Sequence, residues 1–179
     1  ILLIGKNLKI PVVALRYQNV YGPGQSLANP YTGILSIFST RILNGNDLDI
    51  YEDGAESRDF VFIDDAIDAT VLTLEKQETN QQIFNVGSGV ATTVLQVANT
   101  LKRLYNSDVQ IKINGKYRLG DIRHNYADLS KIKNAVGFSS KFNFKAGITE
   151  FVKWVKTQEI MNDKYKDSIK KLENKGLIK

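Results

Sequence analysis

Short apolar runs of strand length alternate along this chain with longer runs of helical period, and that alternation limits the folds open to it. PVVALRY (11–17) is a β-branched run opened by Pro11, the pattern of a buried strand. Before it, Ile1 to Leu8 has apolar residues in helical phase with no cap ahead of them, so it reads as the last turns of a helix. GILSIFSTRILNG (33–45) puts Ile34 or Leu35, Phe38 and Ile42 on one helical face, and Gly45 fits the C′ position. LDIY (48–51) and RDFVFI (58–63) read as strands on either side of a DG turn at 53–54. Asp64 stands where an N-cap belongs, and AIDATVLTLEK carries Ile67, Val71 and Leu74 along one face. IFNV (83–86) is another short buried strand, turned by Gly87-Ser88-Gly89.

Thr93 with Gln96 makes a capping box for a helix bearing Val94, Val97, Ala98, Leu101 and Leu104. VQIKI (109–113) alternates as a strand, Asp128 can cap LSKIKNAV, and Gly137 closes that helix. Ile148, Phe151, Val152 and Val155 define one more amphipathic helix. NVYGPGQSLANPYTG (19–33) holds three glycines and two of the chain's three prolines, so it is expected to be a long loop of the length that usually serves function. Strands alternating with helices predict an α/β domain with a mostly parallel sheet.

Composition narrows the chemistry. With 179 residues and 42% hydrophobic content, the chain can bury one compact domain or two small lobes sharing a core. No apolar run approaches the roughly 18 to 20 residues of a membrane helix, and ILLIG followed by Lys6 and Lys9 does not read as a signal peptide. The absence of cysteine rules out disulfides and thiolate sites, and a single histidine leaves no zinc set. A cytoplasmic protein is the expectation. Of the net charge of +5, +4 falls in Lys153–Lys179, where eight lysines face four acids. The near-neutral body argues against nucleic acid and membrane partners, and the acids spread through the tail suggest a solvated helix.

EDGAESRDFVFIDDA (52–66) carries the first polar cluster. Asp64 and Asp65 fall in the first turn of a helix, where carboxylates meet free N–H groups and the positive end of the dipole. Arg58 and Asp59 open the preceding strand, so their side chains point to opposite faces and cannot serve one site from the same side. KYRLGDIRHNYAD (116–128) is the second cluster. Its Arg118 offers a fork that matches phosphate, and Asp121 can accept from paired hydroxyls such as those of a ribose. The plainer reading is an exposed loop with an internal ion pair. His124 has no acid–base partner by sequence. Gly22-Pro23-Gly24 and Gly87-Ser88-Gly89 each lack the third glycine of a dinucleotide fingerprint, and no Tyr-x-x-x-Lys pair occurs.

Taken together, ALRYQNVYGPGQ, NPYTGILSIFSTRILNG, YEDGAESRDFVFIDDA, IFNVGSG and RLGDIRHNYADLSK occur in an order and spacing that resembles the later half of the extended short-chain dehydrogenase/reductases. These are the NAD-dependent nucleotide-sugar epimerases and dehydratases, and the resemblance covers roughly residues 1–157. It is nearest the 4-epimerases of dTDP-linked deoxysugars, with UDP-glucose 4-epimerases further off. The fold it implies is the C-terminal portion of a Rossmann-type enzyme with its α/β substrate-binding domain. Residues 1–17 would end the nucleotide-binding domain, 18–157 would form the substrate portion interleaved with late Rossmann elements near 58–90, and 158–179 would be a charged tail.

The resemblance also implies roles. Gln18 would lie by the nicotinamide of NAD and Asn19 by the diphosphate of a dTDP- or UDP-linked sugar. Ile50, Tyr51 and Phe60 would flank the base, and Arg58 and Arg118 would grip the diphosphate. Asp121 would hold the ribose, with Leu35 a weaker carry-over. The glycine fingerprint and the Tyr-x-x-x-Lys pair of such enzymes would precede Ile1, and Ile1–Leu8 resembles the end of the helix carrying that lysine. The chain is therefore expected to be silent by itself, with no catalytic residue of its own, and to belong to a homodimeric parent. A non-catalytic module that binds a nucleotide-sugar is the alternative.

Overall fold

The computed structural model describes residues 1–28 and 33–179. The Asn-Pro-Tyr-Thr of the NPYTG stretch (29–32) lies outside the described residues. The elements run α1 (Leu2–Leu8), β1 (Val13–Tyr17), β2 (Asn19–Tyr21), α2 (Ile34–Leu43), β3 (Leu48–Ile50), β4 (Ser57–Phe62) and α3 (Ile63–Glu75). A 3₁₀ turn at Gln77–Thr79 leads to β5 (Gln82–Val86), β6 (Ala91–Thr93), α4 (Val94–Tyr105), β7 (Ile111–Ile113), β8 (His124–Asn125), α5 (Ser130–Val136), α6 (Phe144–Val155) and α7 (Tyr165–Asn174).

The expected α/β architecture is present, with its strands divided among three small sheets. β1 pairs with β5, β3 with β7, and β4 with β2 and β8, all parallel, whereas β6 joins β4 antiparallel. The division starts at Gln18. Its N–H donates to the Val86 carbonyl at 2.8 Å and ends the β1–β5 ladder, and the chain then turns into β2, which joins β4. Two expectations change here. The segment after Tyr17 is not loop throughout, because Asn19–Tyr21 form a strand. The DG turn joins no hairpin either: β3 and β4 belong to different sheets, and Glu52 N–H bonds the Lys116 carbonyl instead.

Among α2, α3, α4 and α6 the helices follow their caps and stripes with one exception, whereas α1 leaves Leu3, Ile4 and Leu8 exposed and α5 has Leu129, not Asp128, at its N-cap position. In α4 the Thr93 hydroxyl accepts from Gln96 N–H at 3.1 Å and Gln96 Oε1 accepts from Thr93 N–H at 2.8 Å, the reciprocal box expected from the sequence. α2 buries Leu35, Phe38 and Ile42, and α6 buries Ile148, Phe151, Val152 and Val155, as their periodicity requires. The exception is α3. Phe62, not Asp64, occupies its N-cap position, and Ile67, Val71 and Leu74 are 51%, 45% and 70% exposed. The buried face is Asp65, Ala66, Ala69 and Thr73, whose small side chains let the helix lie close against β1, β2 and β4. Asp65 serves another segment: its carboxylate accepts from Ser140 Oγ at 2.7 Å, Lys141 N–H at 2.9 Å and Phe142 N–H at 3.1 Å.

A larger core joins α2, α4 and α6 to β2, β3 and β4, and a smaller one packs Phe84, Val86, Ile132, Val136 and Phe138 between β5 and α5. β1 is less covered than a buried strand should be, with Tyr17 exposed. The segment after residue 157 keeps its lysines in solvent, yet its other face is docked. Tyr117 and Lys179 exchange both backbone hydrogen bonds at 3.0 Å, and Ile178 and Ser168 are buried. This corrects the expectation of a freely solvated helix.

Candidate functional site

A cleft of about 270 Å³ opens where β2, β3 and β4 meet the N-terminus of α2, the 117–121 loop and the start of α7. Its apolar lining comes from Ile34, Ile37, Phe38, Ile50, Phe60 and Val94. Phe60 is held from behind by Tyr21 and Phe144, with ring centroids 6.2 and 5.4 Å away. Onto this surface the fold brings polar groups from distant parts of the chain.

Arg58 and Asp59 take opposite faces of β4, as strand alternation demands. Arg58 lines the cleft, where Nη1 donates to the Ser57 and Arg123 carbonyls at 2.9 and 3.1 Å and Nη2 donates to Asp121 Oδ1 at 2.8 Å. Asp59 is fully buried on the other side and accepts from Ser88 N–H, Ser88 Oγ, Gly89 N–H and Ala127 N–H at 2.6 to 3.2 Å. The Gly87-Ser88-Gly89 turn is thus wrapped around an internal carboxylate. A side chain at Gly87 would collide with Asp59 and crowd Gln18.

The second arginine reaches the same cleft. The buried Arg118 Nε has no hydrogen-bond partner among the described residues, and its guanidinium carbon lies 5.7 Å from the Tyr51 ring centre. The Tyr51 hydroxyl and Glu56 Oε2 are also buried without a partner among the described residues. An unpaired buried donor is costly unless something meets it. Burial raises the Glu56 carboxyl above its ordinary range, with Glu52 and Asp53 adding to the shift. Glu52 and Asp53 in turn pair with Arg123, which ties the DG turn to the 117–123 segment.

Of the residues singled out by sequence, Asn19, Ile50, Tyr51, Arg58, Phe60, Arg118 and Asp121 all line this one cleft. Arg118 and Asp121 do not form the internal ion pair of the plainer reading; Asp121 pairs with Arg58, 63 positions away. Leu35 is 1% exposed in the core, next to the lining residue Ile34. Gln18 lies at the β1–β2 break outside the cleft lining, its amide oxygen buried and unpartnered among the described residues. His124 has gained a partner, Ser57 Oγ at 2.9 Å from Nδ1. Glu56 was missed, although its place two residues before Arg58 puts it on the same strand-side face. Tyr165 was missed as well, and no local signal marks it.

Residues 3–87 match the model of the NAD dependent epimerase/dehydratase family. Over this segment the chain is similar to that family. Similarity to individual members extends beyond that segment. The chain is 42% identical over 147 residues to a dTDP-L-rhamnose 4-epimerase of Burkholderia thailandensis, covering 82% of this chain and 40% of the relative. It is 31% identical over 159 residues to a UDP-N-acetyl-alpha-D-glucosaminuronate decarboxylase of Bacillus cytotoxicus, covering 86% and 48%. A solved UDP-glucose 4-epimerase of Thermotoga maritima, with UDP-glucose, superimposes with a TM-score of 0.77 at 32% identity, covering 86% of this chain and 48% of that one. The chain thus spans rather less than half the length of these family members. Rossmann-type architecture, expected from the motifs, is what these structural neighbours share.

Proposed function

We propose that this chain forms the nucleotide-sugar-binding portion of an NAD-dependent nucleotide-sugar epimerase or dehydratase. The observation that carries the reading is the convergence of Arg58 and Arg118 on one cleft, with Tyr51 and Phe60 beside them. In this reading the two forks hold the diphosphate with Asn19, while Ile50, Tyr51 and Phe60 receive the base. Charge-assisted bonds from two arginines fix the nucleotide firmly, which leaves the sugar free to turn at its far end. Asp121 exchanges its bond to Arg58 for the ribose hydroxyls.

NAD fits the other side of this arrangement. The Gln18 amide oxygen, buried and without a partner among the described residues, calls for an N–H donor. Bound NAD would supply the hydride acceptor and donor for passage through a 4-keto sugar. The residues of this chain would bind and orient the sugar nucleotide; neither the glycine fingerprint nor Tyr-x-x-x-Lys occurs in it, so turnover is assigned to a larger assembly. Support comes from β1, which pairs with β5 alone among the described strands, and from the exposed Leu3, Ile4, Leu8, Ile67, Val71 and Leu74 around it. In the domain division that follows, residues 1–17 complete a nucleotide-binding half and 18–157 carry the substrate portion.

Calorimetry with UDP and dTDP tests the reading. Arg58→Ala and Arg118→Ala are each expected to weaken binding by roughly 1.5 to 3 kcal/mol. Wild-type affinity in both folded variants would remove the assignment.

A further inference from the structure

The segment after residue 157 is built into the cleft, and this goes beyond the reading above while resting on it. Tyr165, at the start of α7, borders the cleft between Asp49, Tyr51 and Ile37. It is locked there by Arg41 of α2, whose guanidinium carbon lies 4.2 Å from the Tyr165 ring centre. Arg41 is itself buried and fixed: Nε donates to the Asp47 carbonyl at 2.7 Å, and the guanidinium pairs with Asp49 at 3.3 Å and Asp163 at 3.6 Å. Burial raises the Tyr165 hydroxyl well above the ordinary phenol range, with the nearby Tyr51 hydroxyl adding to the shift. The ring is therefore a fixed wall of the cleft beside Tyr51.

The chain end also holds the loop that carries Arg118. Residues 177–179 run antiparallel to 117–119, with Tyr117 and Lys179 bonded both ways and Leu119 N–H donating to the Leu177 carbonyl at 3.0 Å. Arg118 sits in the middle of this short ladder, opposite the buried Ile178. Lys116 Nζ adds a 2.7 Å bond to Glu173 of α7. The loop that carries Arg118 is thereby held from outside by the last residues of the chain.

We propose that Asp163–Lys179 is a two-point clamp of the nucleotide cleft, in which Tyr165 is a positioning wall for the base and the 177–179 strand positions Arg118 for the diphosphate. The two points predict different losses. Tyr165→Ala is expected to weaken UDP binding about three- to tenfold, the worth of one aromatic contact. It should leave the affinity for inorganic pyrophosphate, measured by competition, unchanged. Ile178→Asp should weaken UDP and pyrophosphate alike, because it frees the Arg118 loop. Amide hydrogen exchange on the unaltered chain provides a readout without any substitution: pyrophosphate and UDP should each slow exchange at Tyr117, Leu119 and Lys179. UDP affinity in Tyr165→Ala and Ile178→Asp equal to that of the unaltered chain, a loss of pyrophosphate affinity in Tyr165→Ala as large as its loss of UDP affinity, or exchange at those amides untouched by UDP, overturns the clamp. If the unaltered chain binds neither UDP nor dTDP, it is the proposed function that fails, and the clamp falls with it.

Discussion

Arg58 and Asp59 are neighbours in the chain with opposite fates, and the difference sets what each substitution should do. Asp59 has no solvent exposure and gathers four donors from two loops, so its loss leaves buried N–H groups unmet. Asp59→Ala is expected to lower stability to urea by about 3 kcal/mol. Arg58→Ala should cost less, since the arginine keeps some exposure and its partner Asp121 is about half exposed. A chain in which both substitutions destabilise equally would contradict the division of faces. Glu56 gives a pH test. Its folded-state pKa is raised by burial, so the native state holds the proton more tightly than the unfolded chain does. Stability contributed by this group is full below about 4.5, its ordinary value, and is lost as pH rises through the higher folded value. Glu56→Gln should abolish that part of the decline and be the more stable protein at pH 7, as urea midpoints across pH 4 to 8 would reveal.

Helices and strands were legible wherever a local pattern was matched by a local cause. The capping box at Thr93 and Gln96 is satisfied within four residues, and Thr93→Ala should cost about 1 kcal/mol in chemical denaturation. α3 was misread because two stripes compete in it. Ile67, Val71 and Leu74 form the more hydrophobic one, but the sheet accepts the stripe of small residues around Ala69, which allows closer packing. Periodicity identifies a helix and its candidate faces; it does not say which face a neighbouring layer will take. The distinction is measurable. Leu74→Lys should change stability by less than about 0.5 kcal/mol, whereas Ala69→Leu should cost about 1 to 3 kcal/mol by overpacking. The opposite ranking would restore the face expected from hydrophobicity. The strand at 19–21 was hidden for a related reason: its partner β4 begins 36 residues later, and nothing near Asn19 announces the pairing.

At the scale of the molecule, the candidate site was legible as residue types and illegible as a closed surface. Arg58, Arg118 and Asp121 announce anion and hydroxyl chemistry through their side chains alone. That Asp121 would hold Arg58 and that Tyr165 would border the same cleft depend on contacts spanning 63 to more than 100 residues, which only the packed core sets. Because the cleft is assembled from β4, the 117–121 loop and the docked C-terminal segment, a ligand that joins them should stabilise the whole fold. A ligand that binds only the native state at a hundred times its Kd contributes about 2.7 kcal/mol, or roughly 5 to 10 °C in Tm for a chain of this size. UDP and dTDP are expected to raise Tm in this way, with a shift that shrinks as salt screens the guanidinium groups. Uridine, which offers the base and ribose without the diphosphate, should give a much smaller shift at equal concentration. If uridine stabilises the chain as strongly as UDP, the two arginines do not meet a diphosphate, and the apolar surface around Phe60 alone accounts for binding.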